Sequence, residues 1–176
     1  MDFLEIAKTR QSCRNFDATK QVEREKIDLI LEAGRLAPSA CNSQPYYFAV
    51  ATGEKAKEIA KLTTRLNMNK FTKDANAIIV IFEDDYNMTA ALGAKVKHND
   101  YRSIDIGIAS AYMTAQAHTL GLSSCIIGWF DDEGVRKICG IDKAVRLILA
   151  IGYAKEDDKL REKKRKSTAQ LVKIVE

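Results

Sequence analysis

Two arginines flank a serine near the start of the chain, in the segment Arg10-Gln11-Ser12-Cys13-Arg14. On an extended backbone alternate side chains point the same way, so Arg10, Ser12 and Arg14 would line one side. A guanidinium donates hydrogen bonds in a planar fork that fits a phosphate or another anion. The segment therefore predicts an anion site. The alternative is a solvated surface turn whose arginines pair with nearby acids.

A second polar segment lies between Pro38 and Pro45, which are the two prolines of the chain. Both prolines disfavour a continuing helix, so a defined loop is expected here. Ser39, Asn42 and Gln44 supply short hydrogen-bonding side chains on that loop. Donors and acceptors that are fixed in place bind the polar parts of cofactors well. In the alternative interpretation these side chains satisfy only their own backbone.

Two further segments could contribute to a site. Gly128 follows the apolar residues Ile126 and Ile127, where it would let a flat ligand approach the backbone or would simply end a strand. The basic run from Lys163 to Lys166 would either complete an anion site or contact nucleic-acid phosphates without specificity. No aromatic side chains are interleaved with this run to stack on bases.

The elements that must position these residues follow from hydrophobic periodicity. Helices are predicted over 22–36, 53–70 and 103–120, a short one follows residue 131, and strands are predicted over 46–51, 77–82, 124–130 and 145–153. The unbroken apolar run from Ala77 to Phe82 is typical of a strand buried on both faces. Because strands and helices alternate irregularly, an α+β or a mixed α/β class is expected.

Length and composition set the outer limits. The chain has 176 residues, 46% hydrophobic and 30% charged, which predicts a single globular domain spanning 1–176 and excludes intrinsic disorder. The net charge of +4 is mild for a nucleic-acid binder but suits an anionic small ligand. No apolar run reaches the roughly 18 residues of a membrane span, and a secretion signal is not evident, so a cytoplasmic location is expected.

The four cysteines, Cys13, Cys41, Cys125 and Cys139, form no CxxC pair. With only two histidines beside them, a structural zinc is not expected. Reduced thiols are the expectation in a chain of this type. An exposed and reactive thiol at Cys13 or Cys41 is the alternative, since both lie in the polar segments described above.

Taken together, four motifs in this order resemble those of the nitroreductase family, which comprises flavin-dependent enzymes that reduce with NAD(P)H. The motifs are RQSCRNF near the start, APSACNSQPYYF after the first long helix, DIGIASAYMTAQAHTLGLSSCIIGWF in the second half, and KKRK near the end. The resemblance covers nearly the whole chain. It implies an α+β nitroreductase-like fold, with a central mixed β-sheet flanked by helices and an intertwined homodimer. The C-terminal arm, residues 155–176, would pack on the partner subunit.

The resemblance also implies a set of FMN-binding residues. Arg10, Gln11, Ser12, Lys163 and Arg165 would lie at the FMN phosphate, and Arg14 at the pyrimidine end of the ring. The other subunit would supply Pro38, Ser39, Ala40, Asn42 and Gln44. Asn67 and Lys70 would contact the ring, and Ile127 and Gly128 would present backbone N–H groups to flavin N5. No catalytic side chain and no metal are expected, because the flavin carries the chemistry.

The implied reaction is a ping-pong transfer of hydride from NADH or NADPH, through flavin N5, to a small organic acceptor. The acceptor remains open between a nitroaromatic, a quinone and an enone. Two alternatives also remain open: a flavin-binding module of the same fold without turnover, and a basic protein that binds nucleic acid through the C-terminal arm. The leading prediction is the homodimeric enzyme, without a nucleic-acid or membrane partner.

Overall fold

The structure is a computed structural model that describes residues 2–176. The described part of the chain contains these elements: α1 Phe3–Thr9, α2 Arg24–Arg35, β1 Tyr46–Thr52, α3 Gly53–Leu62, β2 Ala77–Glu83, α4 Met88–Lys97, α5 Tyr101–Thr119, β3 Ser123–Ile127, α6 Asp132–Cys139, β4 Val145–Gly152 and α7 Thr168–Leu171. Short 3₁₀ turns lie at Ala40–Asn42, Arg65–Asn67 and Lys70–Asp74. Helices and strands alternate irregularly, so the predicted α+β class is confirmed.

The four strands form one sheet in the order β1-β2-β4-β3. Each pairing is antiparallel: β1 with β2, β2 with β4, and β3 with β4. The prediction of a mixed sheet is therefore wrong within this chain. The resemblance implies a mixed sheet, whereas β2 is central here and covered on both faces while it runs antiparallel to both of its neighbours. The parallel pairing that does occur is an isolated bridge between Ser12 and Ser124.

Two hydrophobic clusters, one on each face of the sheet, form the core. On one face α2 and α5 pack on the sheet, with Ile30 and Met113 fully buried against Ile79 and Ile81 of β2. The opposite face is covered by α3, α6 and the N-terminal segment. Since successive side chains of a strand point to opposite faces, β2 contributes to both clusters, and its six residues from Ala77 to Phe82 are 0% exposed.

Most predicted elements are observed with small shifts of their ends. The predicted helix over 53–70 is wrong beyond Leu62, because Leu66, Asn67 and Asn69 have φ values of 55°, 62° and 48° that a right-handed helix cannot include. The predicted strand over 124–130 ends at Ile127. Sequence periodicity missed α1, α4 and α7.

Among residues 2–176, none of the helices has both the length and the apolarity required to cross a bilayer.

Candidate functional site

The N-terminal segment after α1 lies along the edge strand β3. Ser12 forms the parallel bridge with Ser124, and the Cys13 amide donates to the Ser124 carbonyl at 2.9 Å. Cys13 is fully buried, whereas Arg14 beside it is exposed. The alternation predicted from the sequence is therefore observed: the buried cysteine anchors the segment while its neighbours point outward.

The C-terminal arm lies against this same segment. The Gln11 side chain bridges the two: its Nε2 donates to the Lys159 carbonyl at 3.2 Å, and its Oε1 accepts from the Arg161 amide at 3.0 Å. The Arg161 guanidinium donates to the Ser12 carbonyl, and Lys163 Nζ donates to the Arg10 carbonyl. These bonds join positions about 150 residues apart in sequence and hold two charged segments together.

Between the two segments lies a cavity of about 200 Å³, which we call the cationic cavity. Its lining consists of Arg10, Gln11, Ser12, Arg14, Arg161, Glu162, Lys163 and Arg165. The structure thus brings together all the residues that the sequence placed near a phosphate, with Arg14 beside them. Of the five cations, Arg161 forms an ion pair with Asp158 at 3.0 Å, and the other four form none among residues 2–176.

Burial and the neighbouring positive charges both act on the pKa of Lys163. Burial, reinforced by the neighbouring Arg10 and Arg165, lowers the pKa of Lys163 below its ordinary value. Cations crowded in this way repel one another unless an anion is bound between them. The cavity therefore has the charge and the donors for a phosphate-sized anion.

Arg161 was not among the predicted site residues, although the sequence contained a signal for it. Lys159, Arg161, Lys163 and Arg165 are basic at every second position. In the extended arm such spacing places side chains on a common side. The prediction followed the consecutive run KKRK instead, whose member Lys164 does not line the cationic cavity.

A second part of the predicted site lies further along β3. This strand ends at Ile127, which is buried, and Gly128 follows it in an exposed position. The turn that contains Asn67 and Lys70 lies beside this end, because Trp129 Nε1 donates to the Arg65 carbonyl at 3.3 Å. Asn67 and Lys70 are themselves exposed. At about 3.4 Å per residue, Gly128 is about 14 Å along the strand from Ser124, and hence from the bridge with Ser12.

The Pro38–Pro45 loop is a defined turn, as predicted. Its Ser39 Oγ accepts from the Gln44 amide at 2.9 Å, and Gln44 Nε2 donates to Asn42 Oδ1 at 3.1 Å. Cys41, Asn42 and Gln44 have φ values of 50°, 51° and 47°. Non-glycine residues adopt this region at a cost of about 1–2 kcal/mol each, so surrounding contacts must hold the loop in shape.

The structure does not bring this loop to the cationic cavity of the same chain. Ser124, next to the cavity, is level with Ile151, Ala77 and Thr52 across the sheet. The loop enters the opposite edge strand at Tyr46, six residues before Thr52. With strands about 4.8 Å apart and residues about 3.4 Å apart, the separation is on the order of 25 Å. Pro38, Ser39, Ala40, Asn42 and Gln44 therefore form a separate group.

The cysteines are free, and Cys13, which is next to a residue that lines the cationic cavity, is buried. Burial raises the pKa of the Cys13 thiol to about 11, so it is protonated at neutral pH. Cys41 is the exposed one of the two that the sequence singled out. The alternative of a reactive Cys13 is therefore wrong, because its side chain anchors the segment in the core instead of facing the cavity.

Solved structures with nitroreductase names share this fold. A nitroreductase family protein from Streptococcus pneumoniae superposes with a TM-score of 0.82 at 24% identity, covering 99% of this chain and 100% of its own. An FMN-dependent nitroreductase from Clostridium difficile has a TM-score of 0.74 at 30% identity, covering 91% of this chain and 92% of its own. The fold is thus that of the nitroreductases, a class of oxidoreductases.

Sequence comparison agrees with the structural one. The model of the nitroreductase family matches residues 7–67 and 61–153. An oxygen-insensitive NADPH nitroreductase from Helicobacter pylori is 25% identical over 98% of this chain and 99% of its own length. The Bacillus subtilis protein YdgI, named as a candidate NAD(P)H nitroreductase, is 28% identical over 89% of this chain and 90% of its own. The chain belongs to the nitroreductase family.

One prediction follows from the charge around the cationic cavity. His118 hydrogen-bonds Thr9 Oγ1 at 2.7 Å, and burial, then Arg10 and Lys163, lower its pKa below the ordinary value. In the unfolded chain His118 is therefore protonated near pH 6.5, whereas in the folded chain it is protonated only at a lower pH. The stability that neutral His118 contributes is fully present above about pH 6.5, and it is lost as the pH falls through the lower pKa of the folded state.

We accordingly expect the free energy of unfolding to fall more between pH 8 and pH 5 in the wild type than in His118→Gln. Urea unfolding of both proteins at several pH values measures this difference. Added salt should reduce it, because the part due to Arg10 and Lys163 is screened while the burial part remains. Identical pH slopes for the two proteins would contradict the assignment.

Proposed function

We propose that the protein is an FMN-dependent oxidoreductase. It transfers a hydride from NAD(P)H to a small organic acceptor, a nitroaromatic, a quinone or an enone, by a ping-pong mechanism. The observation that carries the proposal is the cationic cavity of about 200 Å³, where four cations from both ends of the chain meet, none of them in an ion pair with a residue of 2–176. The family membership and the names of the relatives, which include NADPH nitroreductase and FMN-dependent nitroreductase, support the same function.

The residues present fit FMN. Its terminal phosphate is a dianion, and the cavity offers guanidinium and ammonium donors in excess of its single carboxylate, Glu162. The exposed Gly128 at the end of β3 leaves open space, since a Cβ added there would meet nothing within 4 Å. A ligand longer than phosphate alone, with a flat group at its far end, can follow the edge strand from one place to the other.

In this proposal each part of the site has its own task. Arg10, Ser12, Lys163 and Arg165 would bind the phosphate, with Gln11 fixing the two segments that carry them. Arg14 would lie at the pyrimidine end of the ring, where its positive charge would favour uptake of an electron pair. Asn67, Lys70 and the backbone of Ile127 and Gly128 would contact the ring. FMN, when bound, supplies the chemistry of accepting a hydride from one substrate and giving it to the next.

The two separated groups of predicted residues support a homodimer. Because the Pro38–Pro45 loop enters β1, three strands away from the edge strand β3 along which the flavin would bind, it can reach a flavin only in another copy. The surface between α1 and α5 is suited to such contact. It holds a cavity of about 620 Å³, lined largely by apolar or small side chains that include Phe3, Ala111 and Tyr112. Phe3 is 76% exposed in the single chain, which is unusual for so large an apolar side chain.

The end of the C-terminal arm supports the same assembly. Leu171, Val172, Ile174 and Val175 are 55–84% exposed. Apolar side chains at the end of a charged arm are stabilised when another surface covers them. We therefore propose that residues 1–176 form one domain whose arm packs on the partner subunit. A cytoplasmic location remains a prediction from the sequence.

The first test is turnover. The purified protein loaded with FMN should lose its blue absorbance when NADH or NADPH is added without oxygen, and regain it when a nitroaromatic or a quinone follows. Initial rates at several acceptor concentrations should give parallel double-reciprocal lines, as ping-pong kinetics require. Bound FMN that neither nicotinamide reduces would instead favour a flavin-binding module without turnover.

The second test concerns the phosphate. The double variant Lys163→Ala/Arg165→Ala should weaken FMN binding by about 100-fold, because two charge-assisted contacts are lost. Riboflavin, which lacks the phosphate, should bind with unchanged affinity. Lys55→Ala/Lys57→Ala on α3 removes the same charge away from the cavity and should bind FMN as the wild type does. Fluorescence titration of the apoprotein measures all three.

An equal loss of riboflavin and FMN affinity in the Lys163→Ala/Arg165→Ala variant would place the phosphate elsewhere. A salt-sensitive association with DNA that is abolished by the same two substitutions, with FMN binding unchanged, would favour the alternative of a nucleic-acid-binding arm.

The third test concerns assembly. Ala111→Arg introduces a charge on the exposed face of α5 and should convert a dimer, with twice the 19.7 kDa of one chain, into a monomer that no longer retains FMN. Ala144→Arg, at an exposed position just before β4, is the matched control and should stay dimeric. Sedimentation analysis measures the mass. A wild-type protein that is monomeric with FMN bound would rule out the shared site.

A further inference from the structure

Asp105 of α5 carries a carboxylate in a buried position. It is 2% exposed, and it is the sole charged residue among the buried ones of residues 2–176. Its Oδ1 accepts one hydrogen bond, from the Ala40 amide at 3.0 Å, while its Oδ2 is buried without a partner. No ion pair to Asp105 occurs in the part of the chain that the structure describes.

This arrangement does not favour stability. A buried charge without a counter-charge costs free energy unless hydrogen bonds replace its lost hydration. Burial accordingly raises the pKa of Asp105, and the bond from Ala40 offsets that rise only in part. Other buried polar residues of α5 bond within the helix, as when Ser110 Oγ donates to the Ile106 carbonyl at 2.7 Å. Asp105 instead reaches a residue 65 positions away.

The residue it reaches lies in the Pro38–Pro45 loop, whose backbone is strained at Cys41, Asn42 and Gln44. A strained loop keeps its shape only where surrounding contacts over-determine it. Hydrogen bonds from two residues outside the loop, Asn87 and Asp105, provide such contacts here. Asn87, just before α4, donates from its side chain to the Cys41 carbonyl at 2.9 Å and from its amide to Ser43 Oγ at 2.8 Å. Asp105 provides the bond from the buried face of α5.

We propose that Asp105 is a positioning residue that holds the Pro38–Pro45 loop in its flavin-binding shape through the Ala40 amide. It acts through the backbone and does not touch the cofactor. The proposal rests on the proposed function, in which this loop contacts FMN bound to the partner subunit.

The test compares two ways of deleting one hydrogen bond. Asp105→Ala removes the acceptor, and Ala40→Pro removes the donor without changing α5. Ala40 begins a 3₁₀ turn, and Ser39 before it is extended at φ −142° and ψ 155°, so proline is tolerated there. Ser110→Ala is the matched control, since it removes a buried polar group of the same helix that does not contact the loop.

We expect Asp105→Ala and Ala40→Pro each to weaken FMN binding by about tenfold or more, the loss typical of a bond to a charged group. Ser110→Ala should bind FMN within about twofold of the wild type. Asp105→Asn keeps an acceptor for the Ala40 amide and should restore binding to within about threefold. Because both deletions act on one bond, the double variant should lose no more than the weaker-binding single variant.

Amide hydrogen exchange gives a readout that needs no flavin. In the apoprotein, Asp105→Ala should speed exchange at Ala40 and its neighbours in the loop, while Ser110→Ala should leave these amides protected. Should Asp105→Ala fail to fold, Ala40→Pro and Asp105→Asn decide the matter.

FMN affinity in Asp105→Ala or Ala40→Pro equal to that of Ser110→Ala would overturn the positioning role and leave the proposed function intact. A loss in Asp105→Asn as large as in Asp105→Ala would overturn it too, since acceptance from Ala40 would then not be the determinant. A wild-type protein that binds no FMN would overturn the proposed function, and this inference with it.

Discussion

Mutual repulsion among the cations that line the cationic cavity is the constraint that the candidate site has to overcome. Five cations from two distant segments line one small cavity, and four of them have no ion pair in residues 2–176. Arg161 and Lys163 themselves donate to the backbone of the N-terminal segment, and neutral groups add further bonds. Gln11 bonds the backbone of the C-terminal arm, the Cys13 amide bonds β3, and Phe16 pairs with Ala154. These hydrogen bonds offset the repulsion between the cations, and a bound anion would reduce that repulsion.

The strand order explains why a single chain divides its candidate ligand-binding residues into two groups. With β1 and β3 at opposite edges, the N-terminal segment lies along one edge and the Pro38–Pro45 loop enters the other. A four-stranded sheet is wide enough to keep the two apart, and its core leaves no path between them. In the proposed dimer each group meets the complementary group of the partner, which accounts for the exposed apolar side chains of α1, α5 and the arm.

Two buried polar residues, Cys13 and Asp105, have different roles in this molecule. Cys13 lies within an apolar cluster, where burial raises the pKa of its thiol to about 11 and leaves it a neutral packing group. Asp105 is buried as well, yet it accepts a bond from a strained loop at the far edge of the sheet. The difference lies in what each residue bonds: the amide of Cys13 bonds a strand that is already paired, whereas Asp105 bonds a strained loop that Asn87 also restrains.

The local elements and the residue types of the site could be predicted from the sequence. Apolar periodicity located α2, α5 and all four strands, because burial of one face imposes a pattern that neighbouring residues display. Paired prolines marked the loop before β1, and charge spacing marked both cationic segments. The helix predicted over 53–70 was wrong past Leu62, because the prediction followed the helical pattern and did not use the two asparagines, Asn67 and Asn69, that adopt left-handed φ values beyond it.

The direction of the strands, the contact between the chain ends and the role of single buried groups became clear only from the folded chain. An apolar run indicates burial on both faces but says nothing of strand direction, and the sheet that the resemblance implied to be mixed is antiparallel. Asp105 is linked to the Pro38–Pro45 loop only through a contact with a residue 65 positions away in sequence. Such pairings depend on how the whole chain packs, and no local pattern of side chains encodes them.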